Sequence, residues 1–128
     1  MRKFIIDNVK FYVGKSAIDN TNMVNIFKET GFTWFHLKDY PSSHLIIEKN
    51  IKDLKDTEIQ ICANMVKYYS KQRKDWTIKY YVDMVNVNNV IPEQKPGLVT
   101  ISKSKKIKIK PCFGFKPDDF IYEEKDEN

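Results

Sequence analysis

The chain contains two histidines, His36 and His44, at the two ends of one short segment. Imidazoles titrate near neutral pH, so such a pair can serve acid–base catalysis or bind a metal ion. A hydrolase would also need a nucleophile and an orienting carboxylate, and Ser42, Ser43 and Asp39 are the polar groups nearby. A zinc site would need a third ligand, and neither cysteine has the usual ligand spacing. The pattern therefore predicts no catalytic residues and no metal site, with a hydrolase as the remote alternative.

The rings around these histidines favour nucleic-acid binding instead. Trp34, His36, Tyr40 and His44 are flat side chains, and Lys38 lies among them. Unpaired RNA bases stack on such rings, and a neighbouring ammonium can contact a phosphate. The alternative is structural, with each imidazole at a strand pair, hydrogen-bonded to the backbone or to a hydroxyl.

A row of lysines near the C-terminus is the strongest basic feature of the sequence. Lys106, Lys108 and Lys110 alternate with Ile107 and Ile109, which predicts a strand with the isoleucines facing inward. Side chains on one face of a strand repeat every ~6.6–7 Å, close to the phosphate spacing of a single nucleic-acid strand. The row therefore predicts phosphate contacts. Lysines that block aggregation at an exposed sheet edge are an equally good explanation.

Two smaller basic features accompany the row. Lys71 and Arg73 lie at the end of the predicted long helix, where cations also stabilise the helix dipole. Lys15 follows Gly14, and this pair could place an ammonium and a backbone amide beside a phosphate, or the glycine could simply supply a positive φ. No G-x-x-x-x-G-K motif precedes Lys15, which excludes a Walker-type phosphate loop.

Short β-rich runs predict the strands that position these residues. Asp7 and Asn8 form a natural turn between two of the runs, and Pro96 and Gly97 precede a predicted hairpin around residues 102–105. The predicted strands cover residues 3–13 on both sides of Asp7-Asn8, 33–37, 43–48, 76–82, 98–101 and 106–110.

Two helices complete the predicted fold. Asn20-Thr21 can cap a short helix that ends before Gly31, and a Thr57/Gln60 capping box can start a longer helix that runs to about residue 72. The longer helix has one apolar face. Strands with a central amphipathic helix predict an α+β domain, a mostly antiparallel sheet with one long amphipathic helix and a short helix packed on it.

Length and charge fix the domain organisation. The chain has 128 residues, enough for one domain, with a net charge of +5. Residues 117–128 carry six acids and one base, so residues 1–116 alone carry a net charge of +10. We therefore expect a single domain over 1–116 and an acidic, flexible tail over 117–128, which competes with phosphate for the lysine face.

Targeting features are absent from the sequence pattern. No apolar run approaches the ~20 residues of a membrane span, and the N-terminus lacks the apolar core of a signal peptide. The two cysteines lie in different contexts, which favours reduced thiols. These features predict a cytoplasmic protein that does not bind membranes.

A set of motifs in order resembles the NFACT-R domain family, the RNA-binding module of ribosome-associated quality-control factors. The resemblance spans roughly residues 9–111, and its motifs are Gly14-Lys15 with Asn20, Trp34-Phe35-His36, Ser43-His44, Tyr68-Tyr69-Ser70-Lys71 with Arg73, Ile78 to Tyr80, Lys95-Pro96-Gly97 with Val99, and Ile107-x-Ile109-x-Pro111.

This resemblance implies a non-enzymatic module that binds RNA, either ribosomal RNA or tRNA, in translation or ribosome quality control and without a cofactor. The alternative is a protein-interaction module that docks on a ribosomal or translation factor. The residues expected to bind RNA are Lys15, Asn20, Trp34, His36, Lys38, Ser43, His44, Lys71, Arg73, Lys106, Lys108 and Lys110.

Overall fold

The structure is a computed structural model, and it describes residues 1–122. These residues form eight strands, two α-helices and three short 3₁₀ turns. The elements in chain order are β1 (Arg2–Ile6), β2 (Val9–Val13), α1 (Ala17–Ile26), β3 (Thr33–Leu37), β4 (Leu45–Ile47), α2 (Asp56–Tyr68), β5 (Tyr81–Asn86), β6 (Val90–Pro92), β7 (Val99–Ile101) and β8 (Lys105–Lys108).

Six of the strands form one antiparallel sheet in the order β1-β2-β4-β3-β5-β8, and β6 and β7 form a separate antiparallel pair. This confirms the predicted α+β class. The β1–β2 hairpin is also as predicted, because Asp7 and Asn8 adopt φ values of 51° and 66° in a two-residue turn. Turns with two positive φ values match the twist of paired strands and favour such residues.

The predicted hairpin between residues 98–101 and 106–110 is wrong. β7 pairs with β6, whereas β8 pairs with β5 at the edge of the large sheet. The apolar side chains explain the difference, because Ile101 packs in one hydrophobic cluster while Ile107 and Ile109 pack in the other. Pairing the two segments with each other would remove one set from its core.

The helix starts also differ from the predicted ones. α1 begins four residues before Thr21, with the Ser16 hydroxyl accepting a hydrogen bond from the Asp19 N–H at 3.1 Å. At the start of α2 the Lys55 N–H donates to Glu58 Oε1 at 2.9 Å, in place of the predicted Thr57/Gln60 capping box. The predicted strand over 76–82 is displaced as well, since β5 begins at residue 81.

The sheet is covered on both faces. One face packs against the apolar side of α2 and contains Phe35, Leu37 and Val82, and the other packs against α1 and contains Trp34 and Val85. Because side chains alternate along a strand, even-numbered residues of β3 and β8 lie on the α1 side. In the described part of the chain, no helix is long and apolar enough to span a membrane.

The first half of the predicted acidic tail packs on the domain. Residues Pro117–Phe120 form a 3₁₀ turn with Pro117 buried. Ile121 then forms a β-bridge with Phe4, and the Tyr122 N–H donates to the Lys3 carbonyl at 3.0 Å. This segment therefore contacts the rest of the domain, and the flexibility expected of the tail stays a prediction. Its remaining part, residues 123–128, lies outside the described residues.

Candidate nucleic-acid interface

The lysine row belongs to a cross-strand pattern on the α1 side of the sheet. His36 in β3 lies opposite Asp83 in β5, and Asp83 lies opposite Lys106 in β8. In the next row, Tyr81 lies opposite Lys108. Side chains directly opposite on one face lie about 4.5–5.5 Å apart at their Cβ atoms. These rows therefore form one continuous polar surface from β3 to the sheet edge.

This surface is basic. Lys106, Lys108 and Lys110 are exposed, whereas Ile107 and Ile109 between them pack toward α2. The Lys106 ammonium lies 4.1 Å from the centre of the Tyr81 ring, a cation–π contact that holds the lysine on this face.

Lys38 extends the basic surface across the sheet from β8. Its ammonium lies 3.9 Å from Asp83 Oδ1, and its backbone N–H donates to the Tyr81 carbonyl at 2.8 Å. Asp83 is therefore the acid around which Lys38 and Lys106 are arranged. Since one carboxylate faces several ammonium groups, the surface remains positively charged.

A groove of about 1030 Å³ adjoins the surface at His36 and Asp83, which both line it. Its walls come from the start of α1, the turn after β3, the end of α2 and the loop before β7. Five of the residues predicted to bind RNA line this groove, and they are Lys15, Asn20, His36, Ser43 and Lys71. Segments far apart in the sequence thus meet at one site.

Asn20 lines the groove, and Gly14 packs directly behind it. The Asn20 side-chain oxygen accepts a hydrogen bond from the His44 backbone N–H at 3.2 Å, and the Gly14 N–H donates to the His44 carbonyl at 3.1 Å. A Cβ atom on Gly14 would lie 1.8 Å from Asn20 Oδ1. Gly14 is therefore required because the asparagine packs directly against it, and its φ is not in the positive region.

Gly97 also lines the groove, in the loop before β7. Its φ is +84°, and a Cβ atom there would lie 3.0 Å from the Ala17 Cβ. The Gly97 N–H donates to the Thr21 hydroxyl of α1 at 2.8 Å. The Pro96-Gly97 motif thus holds the loop before β7 against the first turns of α1.

The two histidines and Trp34 form a compact ring cluster behind the groove. The His36 ring stacks on Trp34 with 5.8 Å between centroids, and the His44 ring lies edge-on to His36 at 5.4 Å. Trp34 and His44 are each only 1% exposed. These two rings therefore cannot stack with a base, and they support His36, which is only partly buried and reaches the groove.

Burial keeps both imidazoles neutral at physiological pH. Desolvation, reinforced by the neighbouring His36, lowers the pKa of His44 to about 3, and a hydrogen bond to the Gly97 backbone only partly opposes this shift. Desolvation also lowers the pKa of His36, against the opposing effects of the Leu37 backbone and the Asp83 charge. The positive charge of the site therefore comes from its lysines.

Ser42, one of the two serines beside the histidines, is engaged in backbone contacts. Ser42 Oγ accepts a hydrogen bond from the Leu37 N–H at 3.0 Å and donates to the Ser43 carbonyl at 3.1 Å. The hydroxyl proton of Ser42 is thus directed to a carbonyl rather than to an imidazole. Among the described residues, no group of three or more His, Cys, Asp or Glu side chains is arranged to hold a metal ion.

Arg73, which was also predicted to bind RNA, does not line this groove. Its guanidinium lies 3.7 Å from the centre of the Tyr68 ring, and the residue lines a second, smaller cavity of about 300 Å³ together with Lys67 and Trp76.

Asp83 was not predicted from the sequence as a residue of this surface. Its alternation with Val82 and Met84 would have indicated it, had the fifth strand been placed at residues 81–86.

Comparisons with known proteins relate the chain to bacterial Rqc2 homologs. No family model matches it. The Rqc2 homolog RqcH of Streptococcus suis is 32% identical over 101 residues, which is 77% of the chain and 18% of that protein. RqcH of Streptococcus pneumoniae is 31% identical over 102 residues, again 18% of its length. The chain thus spans under a fifth of these curated relatives.

A solved structure agrees with these matches. It is the C-terminal part of the fibronectin/fibrinogen-binding protein from Streptococcus suis, with a TM-score of 0.79 and 28% identity. The match covers 94% of the chain and 48% of that structure. These findings confirm the predicted resemblance, and the chain is a homologue of one segment of RqcH, consistent with an NFACT-R-like module.

Proposed function

We propose that the chain is a non-enzymatic RNA-binding module that acts in ribosome quality control, with ribosomal RNA or tRNA as its ligand. The homology to RqcH, named as an Rqc2 homolog, supports this context. The observation that carries the proposal is the continuity of an exposed lysine strand with a groove lined by the family motifs.

Phosphates bind along β8 in this proposal. Lys106 and Lys108 project from one face of this edge strand and Lys110 lies just beyond its end, so a nucleic-acid backbone can follow the strand without displacing protein. Lys38 and Lys15 add positive charge toward and within the groove. Neutralising about five phosphates predicts a slope of roughly −3.5 to −4.5 for log Kobs against log [salt].

The groove supplies the more selective contact. His36 is neutral and partly exposed there, and Asn20 and Ser43 offer polar atoms beside it. A neutral imidazole carries one donor and one acceptor, which suits a ribose hydroxyl or a base edge. We therefore assign phosphate binding to the lysine strand and nucleotide recognition to the groove.

Fluorescence anisotropy with labelled tRNA and with a labelled ribosomal RNA fragment, from 50 to 200 mM salt, tests this function. The K106E/K108E variant should lose affinity for both RNAs and show a slope shallower by about 1.4–1.8, because two phosphate contacts are removed. The K28E/K52E variant is a matched control, since both lysines are exposed and lie outside the surface.

Equal losses of RNA affinity in the two double variants would show that net charge alone drives binding. This result would contradict the proposed surface. Absence of RNA binding by the unaltered protein at low salt would contradict the function itself. His36→Ala should change the preference between the two RNAs more than it changes the salt slope.

Docking on a ribosomal or translation protein is the second candidate. Leu98 lines the groove and is 49% exposed, an apolar contact that an RNA backbone does not use. A pull-down of partner protein that survives nuclease treatment and is lost in Leu98→Asp would favour this candidate over direct RNA binding.

A further inference from the structure

The carboxylate of Asp118 is held by two tyrosine hydroxyls at the end of α2. The Tyr69 hydroxyl donates to Asp118 Oδ1 at 2.5 Å, and the Tyr68 hydroxyl donates to Oδ2 at 3.0 Å. Asp118 lies in the 3₁₀ turn that begins at Pro117, and its side chain is exposed. An acid from the C-terminal segment is therefore clamped against the body of the domain.

Both arginines of the chain lie at this contact. The Arg2 guanidinium lies 4.9 Å from the centre of the Tyr69 ring, and the Arg73 guanidinium lies 3.7 Å from that of Tyr68. The tyrosine hydroxyls, Tyr69 first, and the two guanidinium charges together hold the pKa of Asp118 below its ordinary value. A chain with twenty lysines thus places its only two guanidinium groups around one carboxylate.

This set of donors suits a phosphate group as well as a carboxylate. Guanidinium groups form directional, charge-assisted hydrogen bonds with phosphate oxygens, and phenol hydroxyls donate to the same acceptors. The position is also appropriate, because Tyr69 lines the groove together with Ser70 and Lys71. A phosphate bound here would lie at the edge of the proposed interface.

We propose that Arg2, Tyr68, Tyr69 and Arg73 form a phosphate-binding site that Asp118 occupies in the free protein. A phosphate group displaces the carboxylate when it binds. The RNA backbone as its source rests on the proposed function, whereas the site itself does not.

The sheet geometry also bears on the expectation that the acidic tail competes with phosphate for the lysines of β8. The segment that carries Asp118 packs on β1, which is the opposite edge of the sheet from β8. Five strand spacings separate these edges, about 24 Å. Asp118 therefore competes for the arginine pair and not for Lys106 or Lys108.

Variants of the 128-residue chain test the site with inorganic pyrophosphate as the probe. Asp118→Ala should bind pyrophosphate about tenfold more tightly than the unaltered protein, because the competing carboxylate is gone. Asp119→Ala removes the same charge from the same turn, and its carboxylate contacts neither tyrosine hydroxyl. It should bind like the unaltered protein. Asp118→Asn is a second variant that removes only the charge, and it should gain affinity in the same direction.

Adding Y68F/Y69F to Asp118→Ala should abolish the gain. Equal pyrophosphate affinities of the Asp118 and Asp119 variants would overturn the proposed site. Labelled tRNA distinguishes the sources of the phosphate, since Asp118→Ala should also bind it more tightly, with a salt slope steeper by about 0.7–0.9. A pyrophosphate gain without tRNA binding by any variant would support the site and contradict the proposed function.

Discussion

Acidification should destabilise the protein through His44. The folded protein holds the pKa of this buried imidazole at about 3, whereas the ordinary value in an unfolded chain is 6.5. Between these two values the unfolded state binds more protons, so stability falls as pH falls from 6.5 toward 3. Each pH unit below 6.5 lowers the free energy of unfolding by about 1.4 kcal/mol, so the loss at pH 5 is about 2 kcal/mol.

Urea unfolding followed by tryptophan fluorescence at pH 7.5, 6 and 5 measures this loss. The His44→Gln variant is the control, because glutamine keeps polar atoms in the site and does not titrate. The variant retains His36 and Asp83, the other titratable groups that meet in this part of the sheet. The unaltered protein should therefore lose about 2 kcal/mol more than the variant between pH 7.5 and 5.

The comparison uses the change in the free energy of unfolding with pH. It does not use the absolute stability of the variant, which loses packing against Trp34. Equal losses in the two proteins would show that His44 is protonated as readily in the folded state as in the unfolded state. This result would refute the argument that burial keeps the imidazole neutral, and with it the assignment of the positive charge of the site to lysines alone.

Two further predictions concern the framework of the site. Gly14→Ala should cost about 2–3 kcal/mol in urea unfolding, since its Cβ would lie 1.8 Å from Asn20 Oδ1. Adding Asn20→Ala should cost less than the sum of the single changes, and additivity would contradict this contact. Lys67→Met should destabilise the fold by about 2–4 kcal/mol, because the buried ammonium donates to the carbonyls of Gln72 and Arg73. An unchanged unfolding midpoint would contradict that role of Lys67.

Local patterns predicted the parts of the fold that depend on local physics. Asp7 and Asn8 specify their turn through their own φ preferences. The alternation of exposed lysines with the inward-facing Ile107 and Ile109 follows from the two-residue period of a strand. The pairing partner of β8 could not be found in this way. It depends on which hydrophobic cluster each strand can fill, and this choice is made between segments distant in the sequence.

In the candidate site, too, local patterns predicted some features, while others depend on contacts between distant segments. The exposure of the three alternating lysines in and just after β8 followed from their spacing. The burial of Trp34 and His44, by contrast, depends on α1, which covers that part of the sheet. The role of Gly14 likewise depends on Asn20 and His44 approaching it in three dimensions. The residue types predicted which chemistry these side chains can perform. They did not predict which of the side chains would be exposed to solvent.

The groove has walls from the start of α1, the turn after β3, the end of α2 and the loop around Gly97. Because these segments come from nearly the whole length of the domain, the groove exists only after the last of them has docked. Its formation is therefore coupled to cooperative folding of the entire domain. Ligand binding through the groove should disappear at the same urea concentration as the tryptophan signal, and a fragment that ends before Gly97 should not form the groove.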